Sequence, residues 1–104
     1  MNETRRELPE PAFLTSGPVT EDERAAAREA VRAALEGTRE TVRSVRVTLS
    51  VIDDPSLPRP ALAQAVVEVG GGRLRAQAAA RDLTEAIDLL RRRLSVRTAC
   101  LRAG

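Results

Sequence analysis

From Val42 to Ile52 polar and apolar side chains alternate: Val45, Val47, Leu49 and Val51 on one side, Ser44, Arg46, Thr48 and Ser50 on the other. A period of two over this length predicts a strand with one buried face. Three prolines between Asp53 and Pro60 make the next segment a loop. Ala63, Ala65, Val67 and Val69 then form the inward set of a second long strand, and Leu74, Ala76, Ala78 and Ala80 that of a third. Gly70-Gly71-Gly72 between them predicts a hairpin. Ala12-Phe13-Leu14-Thr15 reads as a short opening strand, closed by a Ser16-Gly17-Pro18 turn.

Two segments follow the helical period instead. Thr20 and Glu23 are spaced as a capping box, and Ala27, Ala30, Val31, Ala34 and Leu35 make a small-residue stripe ending before Gly37. Asp82 and Glu85 suggest a second capping box. After it, Leu83, Ile87, Leu90 and Leu94 recur at steps of four, three and four. The expected class is α+β with order β-α-β-β-β-α: an antiparallel four-stranded sheet with two helices packed on one face. Residues 1–11, where Glu3, Glu7 and Glu10 mix with Arg5, Arg6 and two prolines, are expected to form a flexible N-terminal tail, leaving 12–104 as the domain.

Composition narrows the chemistry. A chain of 104 residues supports one core. With Phe13 as its one aromatic residue, that core must be built from Ala, Val, Leu and Ile. There is no His, Lys, Tyr or Trp, and Cys100 is the single cysteine. General acid–base work is left to carboxylates alone, and none of them pairs with another in an apolar setting. Zinc sites need Cys and His clusters that this chain cannot supply. Asp53-Asp54 precedes Pro55 without calcium-loop spacing and reads as a turn. The expectation is a binding domain: not an enzyme, with no catalytic residues, metal, cofactor or small-molecule substrate. A lone cysteine suits a reducing interior, and no apolar run nears the roughly 20 residues that cross a membrane. A cytoplasmic protein is expected.

Charge is distributed unevenly. Residues 1–40 hold six Arg against nine acids, a balance of −3, and residues 41–70 hold three of each. Residues 71–104 hold eight Arg against Asp82, Glu85 and Asp88, a balance of +5 that points to a polyanion. Every basic residue is Arg, whose planar fork can bind two phosphate oxygens together. Arg24, Arg28 and Arg32 line the edge of the first helix's stripe, where Glu21, Glu29 and Glu36 could equally make a salt-bridged solvent face. Arg91-Arg92-Arg93 spans about 200° of the last helix with Asp88 as its one acidic neighbour. Arg97 falls where an apolar stripe residue is due, so it must either snorkel or mark the helix leaving the sheet. The helix dipole accounts for one or two of these four cations, not for all. These seven arginines are the candidate RNA-binding set. Arg46, Arg73 and Arg75, on the open sheet face, are read as solubilising, and Cys100 as inert.

The stretch from Gly71 to Leu90 resembles the hibernation-promoting factor family, also called ribosome-associated inhibitor A or sigma-54 modulation proteins. The resemblance lies in the glycine turn, Leu74-Arg75-Ala76, and Asp82-Leu83 followed by Ala86-Ile87-Asp88. It extends over about residues 12–98, including the element order. It implies a factor that binds 16S ribosomal RNA of the small (30S) ribosomal subunit near the decoding centre and inhibits translation in stress or stationary phase. A divergent, dormancy-type member is one form this could take. Arg93 matches a position that is usually basic in the family, and its first helix is often basic too. Thr84 stands where the family usually has an aromatic residue, and Val96 where it usually has a basic one, so the RNA contacts are expected to be redrawn. The dimerisation domain that longer members carry C-terminally is expected to be missing. Two alternatives stay open: a protein-interaction or self-association module sharing the fold, and sequence-independent binding of double-stranded RNA.

Overall fold

The computed structural model describes residues 8–38 and 40–103, with side chains to residue 100. The elements run β1 (Ala12–Ser16), α1 (Glu21–Leu35), β2 (Val42–Val51), β3 (Ala61–Val69), β4 (Gly72–Ala80) and α2 (Leu83–Ala103). This is the expected β-α-β-β-β-α order in one four-stranded sheet, with strands in chain order.

One expectation needs correcting: the sheet is mixed. β2, β3 and β4 pair antiparallel, but β1 pairs with β2 in parallel, Phe13 opposite Val47. The physical reason is the intervening helix. α1 runs back along the sheet, so the chain re-enters it in its original direction, as crossover units do. The tight turn after β1 depends on Gly17, whose φ is +80° and whose missing Cβ leaves room for the Val51 carbonyl oxygen. In the β3–β4 loop the positive φ falls on Gly70 alone, the first of two loop residues, as a type II′ turn requires. A register shift between Val42 and Ser44 puts Arg43 and Ser44 outside while Val42 and Val45 stay buried.

The strand alternation holds as read. Val45, Val47, Leu49, Ala63, Ala65, Val67, Ala76, Ala78 and Ala80 are buried on one face, which both helices cover. α2 lies across β4 and β3, and α1 packs along α2. The pairing is complementary in volume. The alanines of β3 and β4 make a shallow floor, and Leu83, Ile87, Leu90 and Leu94 of α2 fill the space above it. The alanine stripe of α1 lets the two helices approach closely.

At the helix starts, Thr20 makes both halves of its box: its hydroxyl accepts from the Glu23 N–H at 3.1 Å, and Glu23 accepts from the Thr20 N–H at 2.9 Å. At α2 only half the expected box is present. Asp82 accepts from the Glu85 N–H at 2.9 Å, and the Glu85 carboxylate does not return the bond. Of the segment read as a tail, residues 1–7 lie outside the described residues. Residues 8–11 lie against the domain, with Leu8 packed on the core and Glu10 beside Arg28. No helix is long and apolar enough to cross a membrane among the described residues.

Candidate nucleic-acid interface

The seven candidate arginines fall into two unlike groups. On α1 each is matched by a carboxylate. Arg24 pairs with Glu21 at 2.9 Å, Arg28 with Glu10 at 3.7 Å, and Arg32 with both Glu29 and Glu36. Hydrogen bonds from Arg32 hold the Glu29 carboxyl below its ordinary range, and the same contact raises Arg32. Arg28 also stands 5.4 Å from the centroid of Phe13, a cation–π distance. These pairs are exposed and add little stability. They do cancel the local charge: α1 holds four acids and three arginines, a balance of −1.

α2 is different because its acids are few. Asp88 is shared by Arg91, at 3.5 Å, and Arg92, at 3.1 Å, so one carboxylate serves two guanidinium groups. Arg93 turns the other way and donates from Nη1 to the Gln77 carbonyl at 2.8 Å. β4 is the last strand of the sheet, and Arg93 thereby caps a carbonyl on its free edge. Arg97 holds no ion pair among the described residues. Nor does it interrupt the stripe: from Leu94 the buried row steps by four to Thr98, whose hydroxyl donates to the Leu94 carbonyl at 2.9 Å. The helix stays on the core through Thr98, and Arg97 is simply exposed beside it. Leu83 to Thr98 thus lies on the core while Arg91, Arg92 and Arg97 project a net positive surface.

Two further arginines stand on Arg93's side of the helix. Arg59, from the β2–β3 loop, and Arg81, from the β4–α2 turn, line an open groove of 730 Å³ together with Arg93. Neither Arg59 nor Arg81 has an ion pair among the described residues. Leu62 and Leu89 supply apolar wall, and Glu85 is the one acid lining it.

No protein-family model matches the chain, and no curated protein matches it by sequence. Solved structures do. The N-terminal domain of Thermus thermophilus Protein Y superposes with a TM-score of 0.69 at 21% identity, covering 86% of this chain and 94% of that one. A ribosomal subunit interface protein from Coxiella burnetii superposes with a TM-score of 0.71 at 14% identity, covering 90% and 98%. The fold is that of the Protein Y N-terminal domain.

The fold agrees with the resemblance read from residues 71–90. Within this Protein Y-type fold, the last helix places arginines on its solvent side and leucines on its core side, and these arginines follow directly on the segment that carries the resemblance. Arg59 and Arg81 were not singled out from sequence. The charge count of the last third includes Arg81, but nothing local to either residue marks it, since they sit 22 positions apart and meet only through the β3–β4 register. Thr84 and Val96, where the chain departs from the family, are both exposed.

Proposed function

We propose that this protein is a ribosome-associated factor that binds 16S ribosomal RNA of the small subunit and silences translation in stress or stationary phase. The observation that supports it most is the α2 surface, where among the described residues Asp88 alone faces Arg91 and Arg92, Arg97 has no ion pair, and Arg93 lies alongside. A solvated salt-bridged face has about as many acids as bases. This face does not, whereas that of α1 does. Phosphate is the anion that suits arginine forks and repeats along a surface of this length. The two structural neighbours, one of them described as a ribosomal subunit interface protein, share the fold that presents this helix. On this reading the protein works in the cytoplasm, and its action is occupancy rather than turnover.

The α2 arginines are the main contact, and Arg24, Arg28 and Arg32 contribute only by giving up carboxylate partners. Sedimentation with purified 30S subunits at two salt concentrations tests the reading. Arg92→Ala should weaken co-sedimentation and make the log–log salt dependence shallower by about one phosphate contact. Arg46→Ala, on the open sheet face and with the same charge change, should have little effect. Equal losses from the two variants would refute the helix surface as the contact.

A further inference from the structure

We infer that the groove between the β2–β3 loop, the rim of β4 and α2 seats one unpaired nucleotide of single-stranded RNA, preferring a base with an exocyclic amine. This inference rests on the RNA-binding reading above and assigns it a second, differently built site. The groove's 730 Å³ is within the range of small-ligand sites, roughly 300–1,000 Å³. Its lining is of three kinds. Arg59 and Arg81 are cations without ion pairs among the described residues, reaching it from two different loops. Leu89 of α2 and Leu62 of β3 are half-buried and line it from opposite sides of the sheet rim. Glu85 brings a carboxylate that has no hydrogen bond or ion pair among the described residues.

A nucleotide matches all three. Its phosphate takes the forks of Arg59 and Arg81. Its sugar and base cover Leu89, in a chain that has no aromatic residue there to stack on. Arg93, held in place by the Gln77 carbonyl, spends one donor on that bond and keeps the rest, with its planar face, for the base. Glu85 can accept from the amine of cytosine, adenine or guanine, which uracil lacks. Other occupants match less. A bare phosphate leaves Leu89 uncovered. An acidic strand adding to β4 would meet Glu85, and it would find the Gln77 carbonyl already taken. A duplex keeps its bases paired and brings only phosphates.

Labelled cytidine and uridine hexaribonucleotides, titrated with the full chain and followed by fluorescence anisotropy at low salt, provide the test. The cytidine hexamer should bind about fivefold tighter or better than the uridine one. Arg59→Ala and Arg81→Ala should each weaken cytidine-hexamer binding about five- to tenfold. Because the two share one phosphate, removing both together should lower the salt slope by about 0.7, the value for one single-strand phosphate. Glu85→Ala should erase the cytidine preference while removing a charge that repels RNA, a combination that simple loss of folding cannot produce. Arg46→Ala is the matched-charge control. The inference is overturned if neither hexamer binds, if the two bind equally, or if Arg59→Ala and Arg81→Ala do no more than Arg46→Ala. Sedimentation of the same variants with 30S subunits separates the two readings. Wild-type protein that binds 30S while the groove variants match the control sinks only the groove. Wild-type protein that fails to bind 30S sinks the reading beneath it.

Discussion

Asp88 holds the balance of the α2 surface, and replacing it with asparagine should strengthen RNA binding. The substitution keeps the shape of the side chain and removes one charge from between Arg91 and Arg92, which it meets at 3.5 and 3.1 Å. A phosphate docking on those guanidinium groups would come within about 7 Å of the carboxylate. At that distance two like charges repel by about 0.6 kcal/mol in water and about 2.4 kcal/mol at an effective dielectric constant of ~20. Because the Asp88 side chain is 48% exposed, the lower part of that range applies. Binding should therefore tighten by about three- to tenfold at low ionic strength, with most of the gain lost as salt screens the repulsion. The cost to folding is small, since exposed ion pairs contribute about 0.2–1 kcal/mol each. In a domain of this size that is a fall of a few degrees in Tm. Filter binding to 30S subunits at several salt concentrations, alongside a thermal melt, measures both sides. An asparagine variant that stays folded and binds no tighter would show that the Arg91–Arg92 surface is not where RNA sits.

Other positions yield further expectations. Leu90 is fully buried over the alanine floor of the sheet, so Leu90→Ala should cost about 2–5 kcal/mol in chemical denaturation, and a loss below 1 kcal/mol would mean the α2 stripe repacks freely. Gly17→Ala should destabilise by about 1–3 kcal/mol, because a side chain at φ +80° is strained and its Cβ would meet the Val51 carbonyl; a neutral result would disprove the close approach of the turn to β2. Ser56 hydrogen-bonds Asp54 from its hydroxyl at 2.8 Å and its N–H at 3.0 Å, holding that carboxyl below the ordinary aspartate value. Ser56→Ala should move the Asp54 titration upward in an NMR pH series. The turn's small contribution, present above the ordinary aspartate pKa, fades as pH falls through the depressed one. An unchanged titration would remove the hydroxyl as its cause.

Local pattern carried most of the fold. Alternation between Val42 and Ile52, glycines at 70–72, and leucines at steps of four and three each specify an element through contacts among near neighbours. Their meaning is set by backbone geometry alone. The absence of His and Lys and the surplus of Arg after residue 71 are likewise properties of composition, and they point to an anionic partner. What each arginine does was decided elsewhere. Arg93 faces the Gln77 carbonyl because α2 crosses the rim of β4, a contact between residues 16 apart that no helical wheel contains. Arg28 is neutralised by Glu10 because β1 lies beside α1 in space. Arg97 looked like a break in the stripe because a helix of 3.6 residues per turn allows a step of three or four. Packing chose four, through Thr98. The groove that joins Arg59 to Arg81 has no trace in the chain at all, since strand register brings them together. Charge and periodicity are summed along a sequence, but whether a cation is spent or free depends on which carboxylate or carbonyl the tertiary fold sets beside it.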